Sequence, residues 1–440
     1  MLSRRVLLTA PLLTLPPMLH AGAPRQGVQW SAPVELARGA GLRGPWRQND
    51  SRYDFVDDPA LALAADGSLL VAWVDQARKA VMVQRRGAGG QPASPPAEVA
   101  GAPHAFSWIP RLAVAPDAPQ RVLLLWQEIL FSGGSHGGEM MLARSDDGGR
   151  GFSVPVNLSN SQGGDGKGRV TPEYWHNGSY DLLAATGGRV FAAWTEYDGP
   201  LWAARSVDGG ENFSRPVRVA GGRGERPARA PAMTMTREGA LLLAWTDGDH
   251  PMADLRLARS TDGGASFRAL GAVGLPGYSD APRLAADREG VVHLAWSESE
   301  GGPLRRQRVH HARSRDGGLS WEPPRTVMDE LPDGFVSAGF PSLAIDSQGT
   351  VLVLAELQED LKQSPRGLAL AISTDGGESF GAPQLVPHSR DPGGGFNGSS
   401  QGLLVPKLAV NARGDVAVVN SALREGSHSR VWLMRGRLGT

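Results

Sequence analysis

The 440-residue chain contains no cysteine. Disulfide frameworks, thiol catalysis, cysteine-ligated zinc and iron–sulfur clusters are excluded together. Net charge is also missing, since 45 Lys and Arg stand against 45 Asp and Glu. A sequence-independent nucleic-acid binder needs a basic excess to displace counterions from phosphates, so no nucleic-acid partner is expected. After the first two dozen residues no apolar run reaches the ~18 residues of a membrane span, and none is expected. Glycine (58) and proline (33) punctuate the chain too often for long helices. At 41% hydrophobic residues it is nonetheless too apolar for disorder. Many short strands joined by turns satisfy these limits.

Residues 1–23 begin with a basic pair, Arg4 and Arg5, continue through an apolar stretch broken by prolines, and end in Ala21-Gly22-Ala23. That order is expected of a signal peptide. Ser3-Arg4-Arg5-Val6-Leu7-Leu8 resembles the twin-arginine export motif; an ordinary secretory leader carrying two arginines is the alternative. Either route puts the mature chain in the periplasm or outside the cell.

Two repeats interleave along the rest. The first is Ser-x-Asp-x-Gly-x-x-aromatic, at Ser145 to Phe152, Ser206 to Phe213, Ser260 to Phe267, Ser314 to Trp321 and Ser373 to Phe380. Its Asp-Gly-Gly centre supplies the positive φ of a tight hairpin, and the Asp carboxylate can accept the turn's backbone N–H groups. The second repeat runs from Pro59, Pro231 and Pro282 through Gly67, Gly239 and Gly290 to Trp73, Trp245 and Trp296. Tyr180, Gly188 and Trp194 keep the register; Pro110 reaches Trp126 with two extra residues; Pro341 and Pro406 keep the first half only. Each unit reads as the inner hairpin of a four-stranded blade, with the Ser-x-Asp hairpin as the outer one. Val28 to Leu36 has the look of a missing outer strand, so the N-terminus is expected to close the ring on the C-terminal blade.

Five copies of the first repeat resemble the Asp-boxes, or BNR repeats, of the sialidase-like β-propellers. The resemblance implies one all-β propeller domain over residues 28–436, and the second repeat favours seven four-stranded blades, with the six of the sialidases proper as alternative. It also implies that the boxes lie opposite the ligand site and act structurally.

Ligands of propellers usually bind at the channel mouth. The mouth here should receive the loops before each inner Pro and after each Trp. After the Trp an acid recurs, as Asp75, Glu128, Glu196, Asp247 and Glu298. Five such acids cannot all be catalytic; most read as rim or structural groups, and the Trp itself as core between blades. Sialidases place an Arg in Arg-Ile-Pro to grip the substrate carboxylate; Arg229-Ala230-Pro231 matches, whereas the first blade has Asp57 instead. Arg111, Arg283 and Lys407 follow inner prolines, and together with Arg229 they could bind a carboxylate, or else pair with neighbouring acids such as Asp280.

Sialidases use a tyrosine nucleophile drawn by a carboxylate, with an aspartic acid/base. Only five tyrosines are present and none follows Tyr278, so the family's C-terminal nucleophile is missing. Tyr278 is the remaining candidate, with Glu196 or Glu298 as partner and Asp57 or Asp58 as acid; a plain rim aromatic is the alternative. Tyr174, Trp175 and His176 lie in a long loop suited to stacking a sugar. Histidines at 136, 250, 310, 311 and 428 lack metal-ligand spacing, so neither metal nor cofactor is expected. The expected function is an exported sialidase-like protein binding, and as an exo-glycosidase hydrolysing, glycans that end in sialic or uronic acid. A non-catalytic propeller serving as a binding scaffold for a protein partner, or a glycosidase using two rim carboxylates, are the other readings.

Overall fold

The computed structural model describes residues 27–42, 52–99, 105–132, 135–160, 179–196, 199–222, 224–249, 252–275, 277–302, 305–391 and 406–439. The expected leader lies outside them. Among the described residues no helix is long and apolar enough to cross a membrane.

The structure is all β and built of antiparallel meanders. The first runs Val56–Leu63, Leu69–Asp75, Ala80–Arg86, Ala97–Val99, each strand pairing with the next. Three more four-stranded sheets begin at Phe106–Ala115, Tyr180–Ala185 and Ser337–Ile345. An eight-stranded sheet joins two such meanders, beginning at Ala228–Met235 and Tyr278–Ala286, through the single parallel pair Ala253 and Tyr278. The last sheet holds Leu408–Val410, Asp415–Arg424 and His428–Leu438. There both N-terminal strands, Val28–Trp30 and Val34–Gly39, pair with the final strand. The first strand of each meander packs beside the first strand of the next, and Leu408–Val410 packs beside Val56–Leu63, so the ring closes on itself.

Ring closure explains the sequence pattern. A second strand such as Leu69–Asp75 or Val292–Ser299 is covered on both faces by neighbouring meanders, so it is an almost continuous buried run without alternation. Outermost strands such as Arg268–Val273 are largely exposed. The repeated tryptophans fill the gaps between meanders as expected: Trp73, Trp126, Trp194, Trp245 and Trp296 are all 5% exposed or less, and each packs with residues of an adjoining sheet or meander.

The Ser-x-Asp turns form with one geometry. Asp208 Oδ1 accepts the N–H groups of Glu211 and Asn212, both at 3.0 Å, and the Ser206 hydroxyl at 2.7 Å; Ser206 Oγ in turn accepts Gly210 N–H at 2.9 Å. These bonds hold Asp208 well below the usual carboxylate range, the Asn212 N–H being the largest cause. Asp316 is held at about 2 by Ser320 and Ser314 despite the opposing effect of burial.

A feature that went unread in the sequence sits one residue earlier. Arg205, Arg259 and Arg313 directly precede the turn serine, and Arg205 Nη1 donates to the carbonyls of Asp262 (2.8 Å) and Gly263 (3.1 Å) in the next meander's turn. Arg313 reaches Gly376 O at 3.0 Å in the same way. The turns at Ser260 and Ser373 are thus latched to the preceding meander. The signal, Ala-Arg-Ser before the box, was in the sequence at residues 143–145, 204–206, 258–260 and 312–314.

Candidate functional site

The turns and the inner-hairpin glycines share one face, since Gly209 N–H donates to Gly188 O at 2.7 Å and Gly148 N–H to Gln120 O at 2.8 Å. The opposite face carries the strand starts with their prolines. There the residue before Pro is left-handed in five meanders: Asp58 (φ 49°), Ile109 (49°), Ala230 (52°), Ala281 (54°) and Phe340 (50°). A residue before proline normally stays extended, so these are costly conformations. A register shift accompanies each one, and cross-ring bonds hold several: Ser179 Oγ accepts Ala230 N–H (2.6 Å), Ser297 Oγ accepts Phe340 N–H (2.7 Å) and Asp58 Oδ2 accepts Ile109 N–H (3.3 Å).

Just inside these bulges the sequence-predicted charges divide into two groups. Arg111, Arg283 and Lys407 are 4%, 8% and 3% exposed, on or beside the first strands of their meanders, with buried Asp57 and Asp58, half-buried Asp181 and, on a second strand, buried Glu356. Lys407 Nζ lies 2.6 Å from Glu356 Oε1. Asp57 Oδ1 accepts the Ser421 hydroxyl at 2.5 Å. Burial raises Asp58 well above the carboxylate range, and the Asp57 charge adds to it. Burial also lowers Arg283 to about 10, with Arg111 contributing as a like charge, so the two guanidinium groups feel one another. Arg111 lies over the Tyr180 ring, 5.3 Å from its centroid. These cations are matched by acids in an apolar interior, the arrangement that burial of charge demands.

Arg229 belongs to the second group. Its Nη2 donates to Tyr278 Oη at 2.7 Å, Nη1 is 3.4 Å from Asp280 Oδ2, and Nε donates to Gly248 O at 3.3 Å. Asp280 is oriented by the Thr246 hydroxyl (2.9 Å) and Ala281 N–H (2.8 Å) on Oδ1, which leaves Oδ2 toward Arg229 and the Tyr278 hydroxyl, 3.4 Å away. Tyr278 is buried at 2% exposed, while the Arg229 side chain is 22% exposed. The group therefore presents a fixed guanidinium toward solvent, backed by a phenol and a carboxylate.

The pairing of Tyr278 differs from the sequence expectation in a definite way. Its carboxylate neighbour is Asp280, two residues on along the same strand face. Glu298 instead accepts the Trp296 indole N–H at 3.2 Å and the Ser279 hydroxyl, and burial raises its carboxyl above the usual range. Glu128 likewise accepts Trp126 Nε1 at 3.3 Å. The acid two residues after the tryptophan is, in these two meanders, the acceptor of that tryptophan's buried N–H. Glu196 is half-buried, its backbone N–H bonded to Pro200 O. Tyr174, Trp175 and His176 lie outside the described residues. Among the described residues no group of three His, Asp or Glu is placed to hold a metal ion.

No family model matches the chain, and no curated protein matches it. Solved structures do. The polysaccharide lyase Uly1 superposes with a TM-score of 0.56 at 11% identity, covering 93% of this chain and 100% of its own. The chain is a β-propeller. An ulvan lyase of polysaccharide lyase family PL25, solved bound to -[GlcA(1-4)Rha3S]-, gives a TM-score of 0.53 at 12% identity over 91% of this propeller and 95% of that chain. The Hadza microbial sialidase Hz136 aligns at 0.47 and 18% identity over 86% and 65%. At these identities the likeness is one of fold.

Proposed function

We propose that the protein is an exported propeller that binds glycans carrying an acidic sugar, sialic or uronic, on the face opposite the Ser-x-Asp turns. We count the eight-stranded sheet as two blades, which makes seven and matches the number of inner-hairpin units in the sequence. The observation that carries the ligand class is Arg229: a guanidinium pre-set by Tyr278, Asp280 and Gly248 O, and partly open to solvent, suits a sugar carboxylate. The uronate named in the ulvan lyase complex, on a propeller of similar fold, supports the same class.

In the hydrolytic form of this reading Tyr278 attacks the anomeric carbon as its phenolic proton passes to Asp280, the glycosidic C–O bond breaks with the leaving oxygen taking a proton from water, and a second water then cleaves the tyrosyl–sugar bond and restores the phenol. The buried charges favour a second reading, a non-catalytic binding propeller. Arg111, Arg283 and Lys407 lie deep beside acids, and Tyr278 is covered. Two measurements separate these. Titration calorimetry with sialyl- and glucuronyl-oligosaccharides should show binding to the wild type that Arg229→Ala lowers at least tenfold; no binding to either ligand sinks the acidic-glycan proposal. Release of fluorophore from α-sialosides and uronides, abolished by Tyr278→Phe, would establish hydrolysis; binding without turnover leaves the scaffold.

A further inference from the structure

One junction in the ring differs in chemistry from the others. At four of the turns the second glycine lies against an apolar side chain of the preceding blade: Leu70, Leu123, Phe191 or Leu242. A Cβ on Gly210, for example, would fall 2.6 Å from Leu123 Cδ1. At the fifth, Gly377 lies against His311, whose Cε1 would be 2.5 Å from such a Cβ.

His311 Nε2 is 3.1 Å from Nδ1 of His293, and the two rings are 1% and 0% exposed. His293 stands three residues after Gly290, as Leu242 stands three after Gly239; His311 stands three before Ser314, as Leu257 stands three before Ser260. A histidine pair has taken the places that two leucines hold one blade earlier.

The surroundings favour these rings as neutral groups. His293 Nε2 is 3.5 Å from Asp287 Oδ2, so the carboxylate takes that N–H, and His293 Nδ1 is left to accept the N–H of His311. The charged neighbours are mostly cationic: Arg313 and Arg315 from the same blade act on His293, and Arg313 and Arg325 on His311. Glu322 and Glu378 bind Arg313, and the Phe380 ring of the next blade meets His311 edge-on at 5.2 Å. One added proton would be a buried charge with Asp287 on one side and three arginines on the other, and two would set N–H against N–H. His310 faces the other way, its ring 5.7 Å from that of Trp296 and tilted 30° to it.

We propose that this seam, between the blade beginning at Tyr278 and the blade beginning at Ser337, is an acid-triggered opening point of the ring. Protonating the histidine pair would drive the rings apart, release the Arg313 latch from Gly376, and loosen the blade that also carries Tyr278 and Asp280. Burial holds both imidazoles below their ordinary range, His311 at about 3. A base held down in the folded state contributes its full stability above about pH 6.5, and that contribution is lost as pH falls from there toward about 3.

Hydrogen exchange of the full chain at pH 7 and pH 5, corrected for intrinsic rates, tests this. Amides of 292–299, 307–314 and 373–380 should exchange at least about tenfold faster at pH 5, while 241–249 and 252–260 in the leucine-filled blade change little. His293→Leu/His311→Leu should abolish that difference and flatten the fall of Tm between pH 7 and 5, with His310 kept as a control. If the double variant does not fold, His311→Gln, which keeps a neutral donor but cannot be protonated, serves instead. Uniform acceleration across the ring, or variants with the wild-type pH dependence, would overturn the proposal.

Discussion

The two faces of the propeller are built on different terms. On the turn face the serine and aspartate bonds of each Ser-x-Asp unit fall within seven consecutive residues, as in Ser206 to Asn212, and only a few bonds, such as Gly209 N–H to Gly188 O and Arg205 to Asp262 O, reach outside it. On the opposite face nearly every contact joins residues far apart in the chain, such as Ser421 with Asp57, Arg229 with Tyr278 and Glu356 with Lys407. Local repeats resist damage one unit at a time, whereas a shared buried cluster fails as a whole.

The sharpest test of that difference is Lys407→Met. It takes from the carboxylate of Glu356, 2% exposed, the cation 2.6 Å away and should cost about 3–5 kcal/mol of stability, while Lys407→Met/Glu356→Leu should recover most of it. Denaturant unfolding measures both, and equal losses would break the comparison. On the turn face Ser206→Ala removes an acceptor for Gly210 N–H and a donor to Asp208, and should cost about 1–2 kcal/mol. The same loss is expected for Ser260→Ala, because the units are alike. Smaller still is Thr246→Val, which frees one side of Asp280: we expect about 0.5–1.5 kcal/mol in stability and weaker acidic-glycan binding by calorimetry at unchanged fold.

Acid should also separate the turns from the histidine seam on the same face. Asp147, Asp208, Asp262, Asp316 and Asp375 are all held below the ordinary carboxylate range. Their contribution is therefore complete above about pH 4 and lost as pH falls through the folded values, about 2 for Asp316. A thermal unfolding series should show this step below pH 4, distinct from any change between pH 6.5 and 4 that the histidine seam produces. Asp208→Asn should shrink the lower step and leave the upper one.

How much of this was legible in advance follows the same division. The five turns, the inner hairpins, the tryptophan core and the N-terminal closure were read from spacing, because each depends on residues at fixed offsets. The Arg latch was legible as Ala-Arg-Ser but went unread, since its partner lies in the next blade, 57 residues away for Arg205 and Asp262. On the face opposite the turns, Tyr278 and Arg229 were candidates and Asp280 was named as an acid the arginines could pair with. Spacing puts Tyr278 and Asp280 on one strand face, but only the pairing register, with Glu298 opposite Ser279, shows that Glu298 lies on the other face.

Sequence by itself determined the unit of construction: a repeated hairpin pair whose serine, aspartate and glycines satisfy their own backbone, and whose apolar strands need a neighbour on both sides. Only the tertiary structure decided what the variable positions do. Circular closure brings the inner strands together on one axis, so Arg111, Arg283 and Lys407 become buried partners of acids while Arg229 reaches the surface. The same closure turned two histidines in leucine positions into a contact between blades. The physical reason is one of range: hydrogen bonds within a turn are specified over four to six residues, but the burial and pairing of a charge depend on every blade that surrounds it.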